Sequence, residues 1–134
     1  MQPGNAAKRI TLSPIAADYR SPRTGRIIVR TMDFIEILPF SEIAYVEAAG
    51  NYCTFVLRDG NRIMASKTIK HFEGALSANR FLRPHQSYIV NLEYIRRVRK
   101  VPYCAICMDN DVEIPVARSR RTRVMEHITG AATC

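Results

Sequence analysis

The sequence predicts a mainly β fold, either an antiparallel sandwich or a stack of small antiparallel sheets, with one or two short helices. Short runs rich in β-branched and aromatic residues recur from residue 26 onward. Turn-forming dipeptides separate these runs, and helical periodicity is confined to two short segments. A chain of 134 residues with 47% hydrophobic content suits one domain with one core.

Residues 1–25 lack a strand or helix pattern. They show little periodicity and contain Pro3, Gly4, Pro14, Pro22 and Gly25, residue types that interrupt regular structure. We therefore predict a flexible N-terminal arm or linker over residues 1–25 and a folded domain over residues 26–130.

Strand patterns fill residues 26–66. Two short runs, RIIVRT and DFIEILPF, predict a strand each, and the run that starts at residue 41 predicts several more. Gly50-Asn51 interrupts that run, which indicates a bulge or a sharp bend. Asp59-Gly60 predicts a hairpin with a type I′ turn, because both central residues of that turn need positive φ.

One amphipathic helix follows at residues 66–77. Ile69, Phe72 and Leu76 recur at helical spacing and define one apolar face. Ser66 is the expected N-cap, and Asn79 is the expected stop.

The remaining residues predict two strand pairs and a last helix. Residues 88–99 read as strand, turn and strand, and residues 103–119 as a hairpin that turns at residues 109–111. The segment SRRTRVMEHI predicts a short basic helix with Ser119 as its cap. Val124 and Ile128 would dock this helix on the domain.

Basic residues are concentrated at the two ends of the chain. The net charge is +8, and Lys and Arg outnumber acids six to one in residues 1–30 and ten to four in residues 80–123. The middle, residues 31–79, is slightly acidic, with four basic residues and six acids. This asymmetry favours a polyanionic partner, such as DNA, RNA or an anionic membrane surface.

Several classes of function find no support in the sequence. It contains no Gly-rich phosphate loop, nucleophile elbow or HExxH motif, and its three histidines are far apart. Cys104 and Cys107 would point to opposite faces of a strand, so this CxxC spacing predicts structural thiols. We expect no enzyme, no cofactor and no metal.

Neither a membrane span nor a signal peptide is evident in the sequence. No apolar run approaches 18 residues, and the N-terminus has no apolar core of the length that signal peptides carry. We therefore expect a cytoplasmic protein without a membrane partner.

The stretch FLRPHQSYIVNLEYIRRV, residues 81–98, places hydrogen-bond donors between two apolar patches. Arg83 and His85 can meet phosphates or base edges, and Gln86 can pair with adenine N6 and N7. Pro84 stiffens the segment, which lowers the entropy cost of binding. Two alternatives stay open: a salt bridge for Arg83 and a hydrogen-bonded structural role for His85.

Three motifs in the sequence resemble the LytTR family of bacterial DNA-binding domains. Residues 47–52 give the family's E-A-x-x-N-Y pattern, residues 85–91 give H-x-S-x-x-V-N, and residues 114–118, IPVAR, follow later. The similarity covers roughly residues 27–128. Gln86 departs from the family pattern, where Arg or Asn is frequent, and Ala117 stands where Ser is usual.

The resemblance implies an elongated stack of small antiparallel sheets whose loops, rather than a recognition helix, enter successive major grooves. Carried over by position, the loops comprise residues 51–53, residues 85–86, and Arg118 with its neighbours. We expect Gln86, Arg118 and Asn51 to read bases, and the basic residues near Arg118 to contact phosphates. The full predicted site is Asn51, Tyr52, Cys53, Arg83, His85, Gln86, Arg118, Arg120, Arg121 and Arg123.

The resemblance also implies a transcription regulator, working as a dimer on direct DNA repeats. Many such domains are the output domains of two-component response regulators. The chain is too short to hold a receiver as well, so we expect either a fragment or a stand-alone regulator controlled by a partner protein, with the arm as a hinge or as a docking segment for that partner. Two alternatives remain: an adaptor whose basic face binds an acidic protein, and a thiol switch at Cys53.

Overall fold

The structure, a computed structural model, describes residues 25–130; the predicted arm, apart from Gly25, lies outside this range. The described residues form ten strands and two α-helices, with short 3-10 turns between some of them. The strands are β1 (Arg26–Arg30), β2 (Ile35–Pro39), β3 (Ile43–Ala49), β4 (Tyr52–Leu57), β5 (Arg62–Ala65), β6 (Phe81–His85), β7 (Tyr88–Asn91), β8 (Ile95–Arg99), β9 (Ala105–Met108) and β10 (Glu113–Pro115). The helices are α1 (Ile69–Ser77) and α2 (Arg121–Thr129).

The strands pair into three antiparallel sheets. The largest has the order β5-β4-β3-β7-β6, and it is accompanied by a two-stranded sheet, β1-β2, and a three-stranded sheet, β10-β9-β8. The predicted class, a mainly β stack of small antiparallel sheets with two short helices, is therefore confirmed.

The five-stranded sheet has a buried core on each of its faces. On one face, side chains such as Val46 and Phe55 pack with residues of β1, β2 and α1. On the other face, Tyr45 and Val56 pack with residues of β9, β10 and α2. Side chains alternate between faces along a strand, so a central sheet between two cores requires apolar residues at successive positions of β3 and β4.

Four local predictions need correction, although the elements themselves are present. Asp59 does not adopt positive φ while Gly60 does, at 93°, so the hairpin has a three-residue loop rather than a type I′ turn. Helix α1 begins after Thr68 instead of Ser66, whose backbone N–H donates to the carbonyl of Arg30. Helix α1 ends at Ser77 with Ala78 as its C-cap, two residues before the predicted stop at Asn79, and the residue with positive φ after it is Arg80.

The fourth correction concerns the last helix. A 3-10 turn over Arg118–Arg120 precedes α2, so the N-cap is Arg120 rather than Ser119. Val124 is buried and Ile128 packs against the same core, as predicted. Across residues 25–130, each α-helix has only nine residues, and neither could cross a bilayer.

Candidate nucleic-acid interface

The first predicted loop is a two-residue turn between β3 and β4. Ala49 pairs with Tyr52, which leaves Gly50 and Asn51 to connect the strands. Gly50 has φ of 64°, as a tight hairpin turn needs at its first position, so this segment is a turn rather than a bulge. Asn51 is exposed, and Tyr52 is half exposed at the start of β4.

The second predicted loop connects β6 to β7. His85 pairs with Tyr88, so Gln86 and Ser87 form another two-residue turn. Gln86 is exposed. The backbone N–H of Ser87 donates to His85 Nδ1 over 3.1 Å, which leaves Nε2 as the ring nitrogen that can donate to a ligand. His85 is half-buried, and its edge-to-face contact with Tyr88 supports this orientation.

The third predicted loop is the segment that leads into α2. Arg118, Arg121 and Arg123 are exposed, whereas Arg120 is half-buried. One guanidinium N–H of Arg120 donates to the carbonyl oxygen of Arg83 over 3.3 Å. Arg120 therefore attaches this segment to β6, in addition to any contact it makes with a ligand.

Backbone hydrogen bonds bring the three loops together at one end of the central sheet. The N–H of Ala48 donates to the carbonyl of Ser87 over 2.8 Å, which places the first loop beside the second. The N–H of Ala117 donates to the carbonyl of Pro84, also over 2.8 Å, which places the third loop beside the second. We call five exposed residues of these loops, Asn51, Gln86, Arg118, Arg121 and Arg123, the contact surface.

Arg83 stabilises the second loop through hydrogen bonds from its partly buried side chain. Its guanidinium lies 2.6 Å from Glu73 Oε1 on α1 and also donates to the backbone carbonyl of Gln86 over 2.5 Å. The side chain is only 15% exposed. The salt-bridge alternative from the sequence therefore describes Arg83, and we remove this residue from the candidate DNA contacts.

We expect Arg83→Lys to loosen the second loop. An ammonium group lacks the planar fork with which the guanidinium reaches Glu73 and the Gln86 carbonyl together. The affinity for DNA should fall by about 1 kcal/mol through lost pre-organisation, as measured by fluorescence anisotropy. Arg96→Lys is the matched control, because Arg96 forms an exposed ion pair with Asp111. Equal effects of the two substitutions would contradict a positioning role for Arg83.

Cys53 is also removed from the candidate DNA contacts. It follows Tyr52 on β4, but its side chain is fully buried in the core beside β1, β2 and α1. Burial raises the pKa of the Cys53 thiol to about 11. A DNA contact at Cys53 and a thiol switch there both require an accessible thiol or thiolate, and the fold provides neither.

We expect Cys53 to resist alkylation in the folded protein. At pH 8, a thiol with this pKa has a thiolate fraction at least about 100-fold lower than that of an ordinary cysteine, and burial blocks the reagent as well. Iodoacetamide labelling followed by peptide mass spectrometry, with and without denaturant, measures this difference. Labelling of native Cys53 at the rate of the denatured chain would contradict the buried placement.

The loop between β8 and β9 lies beside the contact surface, although no motif in the sequence predicted it as part of the site. The N–H of Val116 donates to the carbonyl of Cys104 over 3.1 Å, so this loop lies beside the third loop. Lys100 is exposed there, and Tyr103 is 57% exposed. The basic run RRVRK at residues 96–100 is the sequence feature that could have predicted a role for this loop.

The electrostatics of the third loop favour an anion. The N-terminus of α2 has no side-chain cap hydrogen bond and no acid in its first turn, and Arg120 and Arg121 occupy its start. Cations at this end of a helix oppose its dipole and cost about 0.3–1 kcal/mol each. A phosphate would offset that cost, since helix N-termini bind anions through free N–H groups.

Residues 33–129 match the family model of the LytTr DNA-binding domain. The fold and these residues therefore define a DNA-binding domain of the type found in transcription regulators. The chain belongs to the LytTR family.

Curated relatives are longer than this chain. The heme-containing CO-sensing transcriptional regulator RcoM 1 of Paraburkholderia xenovorans is 29% identical over 117 residues, which cover 84% of this chain and 43% of RcoM 1. The transcriptional regulatory protein YpdB of Escherichia coli is 33% identical over 89 residues, 64% of this chain and 36% of YpdB. The chain thus spans less than half the length of both proteins.

A solved structure has the same fold. It is the LytTr DNA-binding domain of a putative methyl-accepting/DNA response regulator from Bacillus cereus, with a TM-score of 0.67 and 24% sequence identity. The match covers 80% of this chain and 98% of that domain. This similarity supports the arrangement of the three sheets.

Proposed function

We propose that this domain binds double-stranded DNA in a sequence-specific manner by inserting its loops into the major groove, and that it acts in this way as a bacterial transcription regulator. The observation that carries the proposal is the contact surface: three polar loops meet at one end of a rigid sheet. Backbone hydrogen bonds join them, so little loop entropy is lost on binding.

In this proposal, Gln86, Arg118 and Asn51 read base edges. The amide of Gln86 can pair bidentately with adenine N6 and N7, and the guanidinium of Arg118 with guanine O6 and N7. Each good bidentate pair contributes about 1–3 kcal/mol of discrimination. Tight two-residue turns hold the Asn51 and Gln86 side chains at the sheet end, as pre-organised readout requires.

The remaining cations of the contact surface bind the phosphate backbone. Arg121 and Arg123 are exposed in the first turn of α2. Beside the contact surface, the half-buried His85 can also donate to a phosphate from Nε2. Such contacts position a protein on DNA without reading its sequence. One domain covers a single short site, so two copies on direct repeats are the proposed working form, with a partner protein or an attached domain as the source of regulation.

Random-site selection with the purified chain, followed by a salt titration on the selected site, tests the proposal. We expect an enriched motif and, for six to ten phosphate contacts, a loss of affinity of about 10³–10⁵ between 50 and 200 mM salt. An adaptor for an acidic protein would retain little DNA even at low salt. Failure to enrich any motif would contradict sequence-specific binding.

A further inference from the structure

The β1–β2 hairpin exposes a concentration of large apolar side chains. Five of the nine exposed large hydrophobic residues of the described chain lie within residues 28–37: Ile28, Met32, Phe34, Ile35 and Ile37, with exposed fractions between 47% and 97%. We call these five residues the hairpin face. Contiguous apolar patches on a folded domain mark interaction sites more often than scattered exposed residues do.

Packing of the core does not explain the hairpin face. Ile28 pairs with Ile37, and Ile35 pairs with Arg30, all on the outer side of the two-stranded sheet. The inner side is already filled by the buried residues Ile27, Val29 and Leu38. A two-stranded sheet with one solvated face normally carries polar residues on that face, so the outer isoleucines indicate an occupant.

We propose that residues 10–19 of the same chain bind the hairpin face. This segment contains Ile10 and Leu12, which share one face of an extended chain, and Ile15 and Tyr19, which follow Pro14. It joins the domain directly at β1, because Gly25 accepts a backbone hydrogen bond from Phe40 over 3.1 Å. A Cβ on Gly25 would lie 2.9 Å from Phe40 Cε2, so the entry point is closely packed.

The tether sets the direction of binding. Residues 20–25 include Pro22 and Gly25, which suit a chain reversal, and a reversal there lays residues 10–19 antiparallel to β1. At about 3.3 Å per extended residue, these residues reach from Ile28 to the hairpin tip. Lys8 and Arg9 then approach Asp33, which is exposed at that tip.

An attached segment suits this surface better than a second copy of the chain. Two strands of five residues, spaced about 4.8 Å apart with a rise of about 3.3 Å per residue, give the hairpin a face of roughly 160 Å². A specific dimer buries roughly 800 Å² per partner. A short tether instead supplies an effective concentration in the millimolar range, at which a small apolar contact suffices.

Hydrogen exchange on the full chain, without DNA, tests this binding. Amides of residues 10–19 should exchange about tenfold slower in the wild type than in a Phe34→Ser/Ile35→Ser variant, as expected for a segment bound about 90% of the time. Both substituted residues are exposed, so the fold tolerates them. Val101→Ser is the control, since Val101 is 75% exposed on the β8–β9 loop.

A reciprocal variant tests the same contact from the arm. Ile10→Ser/Leu12→Ser should shift the NMR methyl signals of Ile28, Ile35 and Ile37, while signals from the opposite core stay unchanged. Equal exchange of residues 10–19 in wild type and hairpin variant would overturn the proposal. Protection that rises with protein concentration, together with a dimer mass in light scattering, would assign the hairpin face to a second copy and would also overturn it. Neither readout depends on DNA binding.

Discussion

Arg118→Ala should reduce the difference in affinity between a selected DNA site and random DNA by about 1–3 kcal/mol, or roughly 5-fold to 150-fold. Arg118 is exposed at the third loop, and the bond from Ala117 to Pro84 fixes the backbone beside it. The loss should concentrate at one base position, because a bidentate guanidinium reads one guanine. Competition binding against sites substituted at each position measures the effect.

Two controls separate base reading from general charge. Arg123→Ala should weaken selected and random DNA alike and lower the slope of log affinity against log salt by about one. Arg118→Lys keeps the charge but loses the planar fork, so it should keep the salt dependence of the wild type and lose part of its specificity. An unchanged base preference in Arg118→Ala would show that this residue does not read a base.

The sheets were predictable because hydrophobic alternation and turn residues are local signals. The run from Ile43 to Ala49 reads as a strand on its own, and the apolar spacing of Ile69, Phe72 and Leu76 reads as a helix. The way in which the three sheets pack on one another was harder to predict from the sequence. It depends on which face of β3 and β4 meets which partner, and β3 is buried on both faces.

Turn types and helix caps could not be fixed from the sequence because neighbouring candidates compete closely. Ser66 and Thr68 are both reasonable caps, and the pairing of Ser66 with the carbonyl of Arg30 in β1 decides between them. Similarly, Asp59-Gly60 suits several hairpin loops. Contacts between distant segments select one, and local propensity does not contain that information.

The residues of the candidate site also differ in how well the sequence alone could place them. Gln86 and Arg118 were predictable as exposed loop residues, and the structure brings their loops together. The sequence could not show that Cys53 and Arg83 differ from these exposed residues, because the direction of a side chain depends on strand register. Cys53 pairs with Ala48 and points into a core, while an irregularity between Leu82 and His85 accompanies the inward placement of Arg83.

Asn91 shows that a family motif mixes binding residues with structural ones. It ends the H-x-S-x-x-V-N run, yet its side chain is fully buried. The amide nitrogen donates to the carbonyls of Ile43, over 2.8 Å, and Phe40, over 3.3 Å. Its oxygen accepts from the N–H of Glu93 over 3.0 Å. Asn91 thus satisfies the backbone at two 3-10 turns that flank the central sheet.

Asn91→Asp should lower the free energy of unfolding at pH 7 by about 3 kcal/mol or more. The substitution keeps the shape and the acceptor, but it removes both donated hydrogen bonds and buries a carboxylate beside two carbonyl oxygens. Urea unfolding followed by circular dichroism measures the loss. The deficit relative to wild type should shrink as the pH falls, because a protonated carboxyl regains one donor. Asn110→Asp is the control, since an exposed Asp there can still accept from the N–H of Val112. Surface substitutions usually change the free energy of unfolding by less than about 0.5 kcal/mol. If Asn91→Asp lowers it by no more than that, as the control should, Asn91 does not support the fold in this way.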